Sequence, residues 1–166
     1  VYKRQIYELV EDVKFILIIR DPRDTIASLI NVGNKMAIQG EYRHLTPMFT
    51  ERKLSEFIEF YRRAYASSWN YKLVSFQTKV AYIKYEHLVL QDFTGLNLSS
   101  SIKDAKWQRS QINYSQLSDA EKPWYSELYG QGISSKSVGR YPQVLRQEEI
   151  NFIKREGADI FRIFRY

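Results

Sequence analysis

The stretch Lys14-Phe15-Ile16-Leu17-Ile18-Ile19-Arg20-Asp21-Pro22-Arg23-Asp24-Thr25-Ile26-Ala27-Ser28 decides the fold. Residues 14–20 form a near-continuous apolar run rich in β-branched side chains, which is how a strand buried on both faces of a parallel sheet reads. The Asp21-Pro22 pair then stops the strand and opens a turn, because the residue before proline is held out of the helical region. Asp21 or Asp24 can cap a helix over 23–32. Further on, residues 80–85 (VAYIKY) read as a second strand, and apolar and aromatic positions recur at helical spacing over 54–77. Strand, helix and strand in that order predict an α/β fold with parallel pairing and a right-handed crossover.

The remaining segments frame this unit. Residues 33–50 contain two glycines, a proline and no clear period, and are expected to be an irregular loop or lid. In 54–77 the stripe Leu54, Ile58, Tyr61, Tyr65, Trp69 and Leu73 reads as core packing. Residues 91–118 suggest a short helix and loops, and 123–140 a polar surface loop. A helix is expected over 147–157, with Glu148 and Glu149 near its positive N-terminal end and Gly157 as its C-cap. A short apolar segment, 159–164, follows.

Composition narrows the chemistry. With no cysteine, disulfides and thiolate metal sites are excluded. The two histidines, His44 and His87, are far apart and match no metal-ligand spacing, so no metal site is expected. The net charge of +6 favours an anionic partner. Lysines and arginines are scattered rather than clustered in a run, which points to a compact anion site and away from a nucleic-acid track. The longest apolar run is too short to span a bilayer and no signal peptide is visible, so a cytoplasmic, membrane-free protein is expected. Val1 to Gln5 resembles translated adapter sequence and is set aside as a non-native leader, leaving 6–166 as part of one domain.

In open α/β sheets, ligands bind beyond the carboxyl ends of the strands, where Arg20 lies. Ser28 follows Arg20 by eight positions, one to two turns into the next helix. A guanidinium fork and a hydroxyl beside a helix N-terminus make a phosphate cradle. The same residues also suit an Arg–Asp cluster that only stabilises the turn.

The Arg20-Asp21-Pro22-Arg23-Asp24…Ser28 pattern resembles the 3′-phosphate element of the sulfotransferase family, a strand ending in Arg, then D/N-P-x-D, then Ser eight residues after the Arg. Two further matches follow in order. Tyr85-Glu86-His87-Leu88 is similar to the family's Y-E-x-L element, and 135–141 (SKSVGRY) resembles the serine-bearing G-R-W/Y loop of many bacterial members. The terminal helix and its Phe-Arg-Tyr ending resemble the family's closing helix, with Arg165 where Gly is frequent.

The resemblance implies a partial P-loop-like parallel sheet within a three-layer α/β/α domain. It also implies sulfuryl transfer from 3′-phosphoadenosine 5′-phosphosulfate to a hydroxyl or amine of a small-molecule or glycan acceptor, without a metal. Arg20 and Ser28 would hold the 3′-phosphate, with Arg23 a weaker candidate for contact. Tyr85 would lie near the adenine, and Lys136, Ser137, Gly139 and Arg140 would close over the nucleotide.

The family's N-terminal phosphate loop has no counterpart here, since the chain has no G-x-x-x-x-G-K-S/T. The chain is therefore expected to be the C-terminal portion of such a domain, inactive alone. No catalytic base is assigned. Glu8, Glu11 and Asp12 read as ordinary helix positions, and His44 is a candidate only for touching an acceptor. Aromatics over 107–129, such as Trp107 and Trp124, suit either an acceptor surface or packing. Two other functions fit the charge: a P-loop small-molecule kinase, and a non-enzymatic anion- or glycan-binding module.

Overall fold

The computed structural model describes residues 9, 14–38, 40, 46–65, 80–90, 117–118 and 135–166. Two strands, β1 (Phe15–Ile19) and β2 (Val80–Lys84), pair in parallel, with Ile19 opposite Lys84. Helix α1 (Pro22–Ile38) follows β1, and α2 (Thr46–Thr50) and α3 (Leu54–Tyr65) follow in turn. Helix α4 (Tyr85–Leu90) leaves β2 directly. Two single 3₁₀ turns, Ser135–Ser137 and Tyr141–Gln143, precede α5 (Gln147–Glu156) and α6 (Ala158–Phe164). The expected α/β character and parallel pairing are present.

The start of α1 follows from its sequence. Pro22 takes the first helical position, where its missing N–H costs nothing. Asp21, just before it, accepts the Arg23 backbone N–H at 2.8 Å. The helix then runs past the expected end at residue 32, and part of the expected 33–50 loop is helical. Gly33 reads as a breaker, but here it is a contact point. A Cβ built on it would lie 2.2 Å from Cβ of Phe49 in α2, so the absent side chain is what lets the two helices approach.

The core joins Ile19 to Ile26 and Ile30 of α1, Phe49 of α2, Phe57, Ile58 and Tyr61 of α3, and Ile153, Ile160 and Phe164 of α5 and α6. Phe49 and Phe57 stack with ring centres 5.3 Å apart. The aromatic stripe of α3 is core as expected for Tyr61, which is buried, and Tyr65, which packs against the core. The stretch 66–77 of the expected long helix lies outside the described residues, as do His44, Trp69, Leu73 and the 107–116 and 119–129 parts of the aromatic region.

One expectation for β1 is overturned. Ile16 and Ile18 are 65% and 50% exposed, while Ile19 is buried. Among the described residues, the sheet is therefore covered on one face only. A continuous apolar run cannot say which of two faces has a neighbour, because both carry the same residue types. Gly157 is the C-cap of α5, as expected, though not in the left-handed region. Its φ of −96° lets the chain pass straight from α5 into α6, and a Cβ there would meet the Ile153 carbonyl at 2.8 Å. Among the described residues, no helix is long and apolar enough to cross a membrane.

A partly buried ion pair ties α5 to the turn before α3. Arg52 donates from Nε and Nη2 to the two carboxylate oxygens of Glu149, both at 2.6 Å, and from Nη2 to the Val144 carbonyl at 2.9 Å. Glu149 also accepts the Arg146 N–H at 2.7 Å, which closes the first turn of α5. These contacts hold Arg52 in the left-handed region, at φ 54°. The Arg52 hydrogen bond holds the Glu149 carboxyl below its ordinary range. Because the folded value is depressed, the stabilisation is present above about pH 4, the unfolded range, and is lost as pH falls through the folded value.

Two outcomes are expected in chemical denaturation. Glu149→Gln lowers stability at pH 7 by about 1–3 kcal/mol, and the gap to the parent chain narrows as the buffer is taken below about pH 4. Gly33→Ala lowers stability by about 1–3 kcal/mol, as overpacking does where the neighbour is a fixed core atom. An unchanged midpoint for Gly33→Ala would show that α2 can retreat freely.

Candidate functional site

The register of the sheet builds the site. Ile19 and Lys84 are the last paired residues, so the next residues, Arg20 and Tyr85, emerge side by side at the carboxyl edge. The Arg20 guanidinium stands over the Tyr85 ring, 5.2 Å from its centre. The Arg20 carbonyl accepts the Tyr61 hydroxyl at 2.5 Å, which anchors the strand end to α3. Burial raises the Tyr61 pKa, so that hydroxyl keeps its proton.

The turn at Ser135–Ser137 closes onto this edge. Arg20 Nη2 donates to the Ser137 carbonyl at 2.5 Å, and the Tyr85 hydroxyl and Ser137 Oγ share a hydrogen bond of 3.2 Å. Three elements separated widely in the chain, around residues 20, 85 and 137, thus meet. Arg20 Nε is buried and has no hydrogen-bond partner among the described residues. Buried donors of this kind are normally paired, and leaving a charged group's N–H unpaired is costly.

Three other arginines apply the same edge to carboxylates. Arg23, Arg52 and Arg62 each apply Nε and Nη2 together to one carboxylate: Asp21, Glu149 and Asp159 respectively. This is the side-on fork that matches a planar or tetrahedral oxyanion. In Arg20 the same edge has Nη2 on a backbone carbonyl and Nε on nothing described.

The surrounding acids are already committed. Asp21 is paired with Arg23, whose guanidinium lies over the rings of Tyr141 and Phe161 at 4.4 and 5.3 Å. The hydrogen bond it donates to Asp21 raises the Arg23 pKa. Arg23 thus ties the turn to the aromatic rings of Tyr141 and Phe161. Glu86 accepts the Asp21 N–H and the Tyr166 hydroxyl, each at 2.8 Å, joining the turn to the last residue of the chain. Burial first, then the Glu86 hydrogen bond, raises the Tyr166 pKa.

Asp24 is buried, and its two oxygens accept the backbone N–H groups of Gly139 at 2.7 Å and Tyr141 at 2.9 Å. Of the two readings given to the acids, Asp21 takes the capping role and Asp24 binds the later turn. A sequence signal for this existed. Asp24 precedes Ala27 by one helical step, on the side of α1 that is buried, and an acid on an apolar helix face needs a partner.

The other predicted site residues sit around this centre. Ser28 is exposed one turn beyond Asp24 on the same side of α1, and helical side chains lean back toward the N-terminus. No bond joins it to Arg20 among the described residues. Gly139 has φ +70° with nothing within 4 Å of a built Cβ, so backbone geometry rather than crowding calls for glycine there. Lys136 is exposed on the first 3₁₀ turn. Arg140 is exposed and donates from Nε to Gln143 at 3.1 Å rather than reaching Arg20. Sequence reading gave Tyr61 as core packing, but its hydroxyl is invisible as a strand anchor until α3 is packed.

Comparisons with protein-family models, with curated proteins and with solved structures find no match to this chain.

Tyr61→Phe is expected to lower stability by about 1–2 kcal/mol, because the Arg20 carbonyl loses its partner while the ring still fills the core. Thermal unfolding of the variant checks this, and an unchanged midpoint would show that the carbonyl finds another donor.

Proposed function

We propose that this chain forms the 3′-phosphate and adenosine side of a sulfotransferase-like nucleotide site. The observation that carries the reading is the Arg20 guanidinium: it stands at the carboxyl edge of a parallel strand with a buried, unpaired Nε–H on the edge that three other arginines here use for oxyanions. A phosphate monoester supplies the missing acceptor oxygen and opposite charge. Ser28, one turn up the adjoining helix, offers a hydroxyl, and Tyr85 offers a ring face beside the phosphate for a nucleobase. The turn bearing Lys136, Ser137, Gly139 and Arg140 closes the same edge from the other side.

In this reading the donor is 3′-phosphoadenosine 5′-phosphosulfate and the product adenosine 3′,5′-bisphosphate. The acceptor is a hydroxyl or amine, with carbohydrate the favoured class. Transfer is in line. The acceptor atom bonds to sulfur as the bond from sulfur to the bridging oxygen breaks, and the acceptor proton leaves to a base not assigned among these residues. The part played by this chain is to hold the nucleotide by its 3′-phosphate, far from the breaking bond, so that binding energy serves positioning. The exposed apolar face of β1, with Ile16 and Ile18, is suited to a further layer, and supports a three-layer α/β/α arrangement. The 5′-phosphosulfate needs a phosphate loop of a kind that this sequence does not contain.

The test is a nuclear magnetic resonance titration of this chain that follows the Arg20 Nε–H. Adenosine 3′,5′-bisphosphate is expected to shift that resonance and to bind about tenfold or more tightly than adenosine 5′-phosphate, as a paired charge at a desolvated fork requires. Arg20→Ala is expected to abolish the preference. Equal affinity for the two nucleotides, or a preference that survives Arg20→Ala, would overturn the proposal. Preference for adenosine 5′-triphosphate over the bisphosphate would favour a kinase instead.

A further inference from the structure

Asp24 presents a contradiction that the nucleotide site does not by itself resolve. It is a buried carboxylate, 3% exposed, four positions after Arg20 in the chain and one helical turn before Ser28. A fixed negative charge among residues that bind an anion repels that anion, and the repulsion is stronger where water is excluded. On charge alone, removing Asp24 should tighten anion binding.

The hydrogen bonds of Asp24 point the other way. Its two oxygens take the N–H groups of Gly139 and Tyr141, the residues on either side of Arg140. The turn that makes this possible needs φ +70° at Gly139, where a side chain would meet nothing within 4 Å. The glycine is therefore required for aiming two amides at one carboxylate, not for room. Two residues earlier in the same turn, Ser137 meets Arg20 through its carbonyl and Tyr85 through its hydroxyl. The segment 135–141 is thus attached at both ends: to the strand edge by Ser137, and to α1 by Asp24.

We propose that Asp24 is a positioning residue for anion binding at Arg20: it holds the 135–141 turn, with Lys136 and Arg140, against the strand edge, so that losing Asp24 weakens anion binding although it removes a negative charge. The inference rests on the nucleotide site proposed above, and the two are separated by their readouts. Electrostatics and positioning predict opposite signs for the same substitution, so the sign of the change decides between them.

Three variants of the full chain test this, read at the Arg20 Nε–H with adenosine 3′,5′-bisphosphate and separately with inorganic sulfate. Asp24→Asn keeps the shape and one acceptor oxygen. Gly139→Ala strains the turn from the other side and leaves every charge in place. Glu149→Gln removes an ion pair away from the site, and serves as the control for lost stability. Asp24→Asn and Gly139→Ala are each expected to weaken both ligands about five- to tenfold, as a lowered share of the competent turn requires. Backbone amide exchange at residues 139 and 141 is expected to quicken in both, and Glu149→Gln to change neither readout.

Binding by Asp24→Asn as tight as or tighter than that of the parent chain overturns the positioning role, as does equal weakening by Glu149→Gln. If Asp24→Asn does not fold, Gly139→Ala decides alone: unchanged affinity with faster amide exchange overturns the inference. If the parent chain binds adenosine 5′-phosphate as well as the bisphosphate, the nucleotide proposal fails, and the sulfate arm still decides the role of Asp24. An absence of any anion binding by the parent chain overturns both.

Discussion

Parallel pairing with Ile19 opposite Lys84 constrains everything around the candidate site. In a parallel pair both strands end at the same edge, so the residues that follow the last rungs are neighbours however far apart they lie in the chain. Arg20 and Tyr85 follow those rungs. The chain leaves β1 into α1 and β2 into α4, and Glu86 of α4 accepts the N–H of Asp21 where α1 begins. Slipping either strand by one residue would turn its buried side chains to the open face and separate Arg20 from Tyr85 at the same stroke.

Carboxylates do much of the organising beyond the sheet: each accepts from the backbone, and Asp21, Glu86 and Glu149 accept from side chains as well. Asp21 caps α1 and holds Arg23. Asp24 gathers Gly139 and Tyr141. Glu86 links the turn to Tyr166, and Glu149 links α5 to Arg52. Charged acceptors make stronger hydrogen bonds than neutral ones, and partial burial keeps water from competing. Against this pattern Arg20 stands out. Its neighbours among the acids are engaged elsewhere, so its Nη2 rests on a carbonyl and its Nε–H has no partner among the described residues. A basic group in that condition inside a network of satisfied charges is what the proposed oxyanion site rests on.

Local chemistry made several elements legible from the sequence, and each error has a physical cause. The strand over 15–19, the Asp-Pro turn and the helix over 147–156 follow from periodicity and from residues with strict backbone preferences. Gly33 misled because glycine signals both a helix end and a close helix contact, and only Phe49 distinguishes the two. The β1 run promised burial on both faces, whereas Ile16 and Ile18 lie open, because an apolar residue carries no record of which neighbour covers it. Gly157 caps α5 as expected, and only the packed structure shows that it also opens α6.

The candidate site divides along the same line. Residue types and their spacing alone determined that Arg20 ends a strand, that a helix with a capping acid follows, and that a basic, glycine-bearing turn lies near the C-terminus, because these depend on interactions within a few residues. Tertiary structure alone decided that Arg20, Tyr85 and Ser137 meet, that Asp24 binds the 135–141 turn rather than its own helix end, and that Arg23 pairs with Asp21 while Arg20 keeps, among the described residues, an unpaired Nε–H. Those outcomes depend on strand register and helix packing, which bring together groups more than fifty positions apart in the chain.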